Sequence, residues 1–404
     1  MAWTGGGASL RYVRAVAIAV VLASAGCTEL ASKPTESESP VTVGTATVTP
    51  TMAKNLPEPG TAALARAKAA TLQHVLDRVV AENSAGIESG ARGITAAVLT
   101  DQWTWTGVAG ADGTGRRLQN NTTMAIASIT KTFVAAEVLR LARAGTVELD
   151  KPLSTYVKHK LTANGATVRQ HLAMRAGLPD FLPGDYQALE KEFAEAPSRH
   201  WTPAQVLAHH SAALGGPGSP FAYSNPSYLL LGMLVESVTK QPLAAVLRRD
   251  LVTPARLARV AVQDGERPPP PVANTRIPFC PGGPDGYLPC RAVASATMAA
   301  GGMAADAASV ARWGYQLYGG RVVPPAIVTA MTGGDSEYGL GTMRFSLLLG
   351  LGEAYGHIGM APGYTTMLAV VPEKRLAAAI LLADSHRNAN TVMSRLFQAI
   401  QEIS

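Results

Sequence analysis

The chain has 404 residues, 47% of them hydrophobic and 16% charged, with a mean hydropathy of +0.11. That is long and apolar enough for one large domain, or two joined ones, with a sizeable buried core, and it fits a compact globular protein. The net charge of +6 comes without any basic run interleaved with aromatic residues, which argues against nucleic acid as a partner.

The first 27 residues read as an export signal. Arg11 and Arg14 form a positive start, and "AVAIAVVLASA" is an apolar stretch too short to span a bilayer comfortably. It ends in Ser24-Ala25-Gly26-Cys27, which resembles the bacterial lipobox, whose cysteine is lipidated and becomes the mature N-terminus. Ser24 departs from that pattern, which prefers an aliphatic residue, and an ordinary signal peptide with a stray cysteine is the alternative. Both readings export the protein. The first also anchors it through Cys27 to the outer face of the cytoplasmic membrane.

Residues 28–60 are rich in Thr, Ser, Pro and Glu and poor in large apolar residues, the composition of a disordered tether. A globular domain is expected over 61–404. "TAALARAKAATLQHVLDRVVAEN" places Leu64, Leu72, Val75, Leu76 and Val79 on one helical stripe. "GITAAVLT" and "WTWTGVAG" follow as two strands around a turn at Asp101-Gln102. "AIASITKTFVAAEVLRLARAG" is a helix with Phe133, Val134, Val138 and Leu141 on its apolar face, ended by Gly145.

From about 146 to 290 the chain is mostly helical with long Pro/Gly loops. Strand signals return in "YGLGTMRFSL", "YGHIGM", "TTMLAVVP" and "LAAAILLAD", and "NANTVMSRLFQAIQEI" is a closing helix. Strands at both ends with helices between predict one sheet-based domain carrying an inserted helical region. The loop 265–292 is too rich in proline for regular structure, and a loop of that length is more often functional than neutral. It holds Cys280 and Cys290, an even pair in an exported chain, and so an expected disulfide. A metal site on these cysteines lacks further Cys or His at ligand spacing.

Ser-x-x-Lys occurs twice, at Ser128-Ile-Thr-Lys131 and at Ser237-Val-Thr-Lys240. Ser237 ends a helix, where partial negative charge opposes ionisation of a hydroxyl, and reads as a solvated helix end. Ser128 begins one, so its hydroxyl and N–H sit at the positive end. Lys131 lies one turn on along the same face, within reach of the serine oxygen, and a buried lysine there can act as base. A plain helix cap is the competing reading of Ser128. Tyr223-Ser224-Asn225 is the only Tyr-x-Asn in the chain, and His357-Ile358-Gly359 the only His-x-Gly.

This order of motifs resembles the serine β-lactamase-related family, which includes class C β-lactamases, D-alanyl-D-alanine carboxypeptidases and related esterases. "LARAGTVELDKPLSTYV", "TVRQHLAMRAGLPD", "LLLGMLVESVTKQPL" and "AAGGMAADAASVARW" look like that family's framework segments, so the resemblance covers roughly residues 65–400. It implies an α+β fold in which an antiparallel sheet is flanked by helices, with the site in a cleft beside an inserted helical region. It also implies the roles. Ser128 is the acylated nucleophile, Lys131 accepts or shares its proton, and Tyr223, partly ionised if it lies between two cations, relays that proton to the leaving group. Asn225 bonds Lys131 and the substrate amide, and the N–H groups of Ser128 and Met360 form the oxyanion hole. Gly359 allows close approach of substrate, and His357 supplies positive charge for an anionic one.

Two departures matter. No Lys-x-Gly occurs, so the third motif is closer to the His-Thr-Gly of certain carboxypeptidases. Ile358 then replaces a threonine whose hydroxyl helps hold a substrate carboxylate, which puts carboxylate recognition in question. His209-His210 point apart on a helix and do not easily share a metal. No metal or cofactor is implied, since zinc-protease, phosphate-loop, dinucleotide and Gly-x-Ser-x-Gly motifs do not occur. The expectation is a cell-envelope serine hydrolase working through a Ser128 acyl-enzyme on an amide or peptide of D-amino-acid type. Ester or weak β-lactam hydrolysis is the alternative, and a catalytically poor binding or sensor lipoprotein is the rival from another class.

Overall fold

The computed structural model describes residues 55–280, 285–334, 337–345 and 352–404. The expected export signal with Cys27, and the tether as far as residue 54, lie outside the described residues. Folded structure begins before the expected boundary at residue 61. Leu56 is 2% exposed, its N–H donates to the Gly319 carbonyl, and Arg321 bonds both the Leu56 carbonyl and the Glu58 carboxylate. One buried leucine and one arginine fix this stretch despite its polar composition.

The strands are β1 (Ala62–Ala63), β2 (Gly93–Leu99), β3 (Trp103–Gly110), β4 (Met124–Ala125), β5 (Val260–Val262), β6 (Met303–Ala305), β7 (Met343–Arg344), β8 (Tyr355–Ala361), β9 (Tyr364–Val371) and β10 (Leu376–Leu382). The helices are α1 (Arg66–Ser84), α2 (Thr130–Arg143), α3 (Val168–Leu172), α4 (Pro183–Glu195), α5 (Pro203–Ala208) and α6 (Asn225–Thr239). They continue as α7 (Leu243–Leu247), α8 (Arg291–Gly301), α9 (Ala307–Tyr318), α10 (Pro325–Thr332) and α11 (Ala389–Ile403).

The main sheet runs β1-β3-β2-β10-β9-β8-β7. It is antiparallel except for β1, which lies parallel to β3. The last strand sits beside the first long one, with Ala379 opposite Ala97, so early and late strands build one sheet, and α2 to α10 lie between β3 and β7 in sequence. This is the expected antiparallel sheet flanked by helices.

"LAAAILL" reads as an unbroken apolar run because both faces of β10 are covered. Ala377, Ala379 and Leu381 join a core with residues of α2, α6, α8 and α9, while Ala378, Ile380 and Leu382 join one with α1 and α11. Leu172, Leu207, Leu230 and Leu247 of the helical stretch enter the first of these cores, so that stretch shares its packing with the sheet. "YGLGTMRFSL" forms only a two-residue strand, Met343–Arg344, among the described residues, with Tyr338 bridged to Met343.

A second sheet, β4-β6-β5, was not expected from the sequence. Its strands are two or three residues long, below the length at which alternation shows. It matters for function because β4 delivers the chain to Ser128.

Candidate active site

Ser128 lies in a single 3₁₀ turn, Ala127–Ile129, that leads directly into α2. Three contacts fix the approach to it. The Ile126 N–H donates to the Met303 carbonyl of β6, the Thr130 hydroxyl accepts the Met303 N–H, and the Thr366 hydroxyl of β9 donates to the Ile126 carbonyl. Helix α2 is held in turn by Phe133 stacked on Trp313 at 3.8 Å and by the Trp313 indole N–H on the Thr132 hydroxyl. Ala127 has φ +47°, a left-handed conformation that costs an L-residue about 1–2 kcal/mol. The packing on both sides holds the residue before the serine in that strained state.

Lys131 is fully buried, and its Nζ has three partners: Ser128 Oγ at 3.1 Å, Asn225 Oδ1 at 2.8 Å and the Ala300 carbonyl at 2.6 Å. Burial pushes its pKa down to about 7, against the pull of the Asp180 carboxylate in the other direction. Two of the three partners, Asn225 Oδ1 and the Ala300 carbonyl, can only accept, so they fix the amine and direct its remaining position at Ser128 Oγ.

The Tyr223 hydroxyl donates to Ser128 Oγ from the other side at 2.8 Å. The expected partial ionisation of Tyr223 is corrected here. Burial raises its pKa above the ordinary value, and the bond to Ser128 offsets only part of that rise. One cation site, Lys131, stands 4.9 Å from its ring. His357, expected to supply positive charge to an anionic substrate, is fully buried with its pKa pushed down to about 3, first by desolvation and then by Lys131. Nδ1 of His357 faces the Ile358 carbonyl at 2.6 Å and Nε2 the Tyr338 hydroxyl at 3.3 Å. A neutral imidazole in that setting supplies no positive charge to a substrate.

Gly359 is needed, though for another reason than substrate approach. A Cβ there would stand 2.4 Å from the Ile126 carbonyl and 2.3 Å from the Thr366 hydroxyl. Its missing side chain lets β8 pack against the segment that carries Ser128. Met360 follows, one pair before the Pro362-Gly363 turn that joins Ala361 to Tyr364. In a two-residue hairpin the closing pair exchanges its hydrogen bonds, so alternation directs the Met360 N–H off the outer edge of β8. Among the described residues, β7 covers that edge only at Tyr355 and Gly356. Ile358 is opposite Met367 and packs against the core of α1 and α11, on the sheet face away from Ser128. Packing, not substrate, sets its identity.

The second Ser-x-x-Lys does not assemble a site. Ser237 Oγ donates to the Tyr156 carbonyl at 2.9 Å, tying α6 to a neighbouring loop, and Lys240 is an exposed left-handed helix cap. Ser237 is therefore a half-buried structural link, where a solvated helix end was expected. Cys280 and Cys290 are disulfide-bonded, with Cα atoms 5.7 Å apart. Cys290 caps α8, whose Ala300 carbonyl receives Lys131 at the far end.

Asp180 and Tyr186 complete the site and were not singled out from the sequence. Asp180 accepts the Asn225 N–H and side-chain amide, each at 3.1 Å, and the Tyr186 hydroxyl at 3.0 Å. The Asn225 amide also donates to Tyr186. With both of its amide donors engaged there, Asn225 can only turn its oxygen to Lys131.

A serine hydroxyl held between a desolvated amine and a neutral phenol, beside the edge of an antiparallel sheet, defines a serine hydrolase. Comparison with known proteins agrees. The family model described as Beta-lactamase matches residues 76–401, and the chain belongs to that family. A D-stereospecific amidohydrolase from Streptomyces sp. superposes with a TM-score of 0.68 at 25% identity, over 81% of this chain and 98% of that one. The D-amino acid amidase from Ochrobactrum anthropi SV3, in complex with L-phenylalanine, gives 0.69 at 22% identity over 83% and 99%. Among curated proteins, "Protein flp" of Staphylococcus aureus is 30% identical over 141 residues, which are 34% of this chain and 27% of that protein. The match therefore spans about a quarter of that relative's length.

Proposed function

We propose that the protein hydrolyses amide bonds of D-amino-acid type through an acyl-enzyme on Ser128. The observation that carries this reading is the buried Lys131 amine, 3.1 Å from Ser128 Oγ and held on its other sides by Asn225 Oδ1 and the Ala300 carbonyl. The likeness to the D-stereospecific amidohydrolase supports the choice of substrate class.

Lys131 takes the hydroxyl proton as Ser128 Oγ attacks the carbonyl carbon. The oxyanion forms against the N–H groups of Ser128 and Met360, at a helix start that favours negative charge. Tyr223, a neutral phenol, gives its proton to the departing nitrogen, and Lys131 then restores it. Water repeats the sequence on the acyl-enzyme and frees Ser128. Asn225 holds Lys131, and Asp180 holds Asn225.

A hydrolysis panel tests this: D- and L-configured amino-acid amides, D-Ala-D-Ala peptides, p-nitrophenyl esters and a chromogenic cephalosporin. Preference for the D-amides supports the reading. Turnover of the esters alone would replace it with a carboxylesterase.

Asp180 acts as a positioning residue, and Asp180→Asn separates that role from simple folding. Removing the carboxylate removes the interaction that raises the Lys131 pKa, so the acid limb of kcat/KM moves to lower pH. Losing a hydrogen bond to a charged acceptor costs on the order of 1.5–3 kcal/mol, so the plateau drops about tenfold or more. Asp180→Glu restores part of both. A purely structural role would lower the plateau and leave the limb in place.

The protein acts at the cell envelope in this reading, anchored by lipid on Cys27. Cys27→Ala is expected to move the enzyme from the membrane fraction to the soluble one with hydrolysis intact. Retention of the variant on membranes would refute the anchor.

A further inference from the structure

We propose that the partly exposed rings of Tyr223 and Phe221, backed by the buried Tyr338 between them, form a subsite for a neutral aromatic group of the substrate, and that this subsite does not take a carboxylate. The inference rests on the reading of Ser128 as nucleophile. Tyr223 reaches Ser128 Oγ through its hydroxyl. Its ring meets Tyr338 edge-on at 6.5 Å, and Tyr338 meets Phe221 at 5.3 Å. A row of three rings therefore starts at the nucleophile, and its far end, Phe221, is 37% exposed.

The two phenol hydroxyls of these rings are engaged with Ser128 and His357, which leaves their ring carbons and Phe221 as the apolar surface. No Asp, Glu, Lys or Arg occurs between Arg199 and Glu236, the stretch that supplies Phe221 and Tyr223. Where the resemblance implied a cation for a substrate carboxylate, His357 is buried and both ring nitrogens face oxygen atoms of Ile358 and Tyr338. A carboxylate laid against these rings would lose water without gaining a cation, and would meet the negative faces of the aromatic systems. A phenyl or alkyl group would instead cover Phe221 and gain both buried area and ring contact.

Boronic acids report on the subsite without requiring a scissile bond. Benzyl-, methyl- and 4-carboxybenzylboronic acids are compared for protection of Ser128 against a fluorophosphonate, in wild type and in Phe221→Ala of matched melting temperature. Wild type is expected to favour the benzyl compound about tenfold over each of the others. Phe221→Ala should shrink the benzyl-to-methyl ratio severalfold. Equal weakening of both compounds by Phe221→Ala, or equal protection by the benzyl and carboxybenzyl compounds, would overturn the subsite while leaving the nucleophile in place. Failure of Ser128 to react with the fluorophosphonate at all would defeat the nucleophile reading, and the subsite with it.

Discussion

Ser128→Ala abolishes covalent labelling and lowers turnover by on the order of ten-thousandfold or more, whereas Ser237→Ala leaves both close to wild type. The two serines share a tetrapeptide pattern and differ in everything the fold adds. Ser128 is bonded by the Lys131 amine and the Tyr223 phenol, at a helix start. Ser237 spends its hydroxyl on the Tyr156 carbonyl near the C-terminal end of α6. Removal of the first leaves no atom to carry the acyl group. Removal of the second costs one half-buried hydrogen bond, about 1 kcal/mol of stability, and nothing in the chemistry. Turnover assays and melting curves on both variants check this together.

The second large effect belongs to Lys131. Lys131→Met keeps the volume and removes the base, and kcat/KM should fall by about a hundred- to ten-thousandfold. In the wild type the amine works only when unprotonated. Because burial lowers its pKa to about 7, kcat/KM rises with pH through that value and levels off above it. Tyr223 must keep its proton to serve the leaving group, and burial raises its pKa, so no alkaline loss is expected below the ordinary tyrosine value of about 10. In Lys131→Met the acid limb disappears along with the rate. A limb that survives the substitution would assign that titration to another group.

Much of this was legible in the chain because it is local. Ser128 and Lys131 lie one turn apart at the start of α2, so spacing put them within reach of each other, while the resemblance of the Tyr-x-Asn motif implied that Tyr223 and Asn225 join them. The long strands were legible for a related reason: β2, β9 and β10 are buried on both faces and show as apolar runs. What escaped depends on contacts between elements distant in sequence. His357 looked like a titrating cation until Tyr338 and the packing around β8 enclosed it. Ile358 looked like a substrate contact, yet the register with Met367 turns it to the opposite core. Asp180 sits in a loop without periodicity, and only the fold brings it to Asn225, 45 residues on. The segment "AGLPD" was the one visible signal for it. Strands β5 and β6 of the second sheet are too short to leave a pattern.

Peptide mapping by mass spectrometry after fluorophosphonate treatment tests the central claim most directly. One adduct per chain is expected, on the peptide that contains Ser128, and none on that peptide in Ser128→Ala. An adduct on Ser237 or on any other residue would contradict the account.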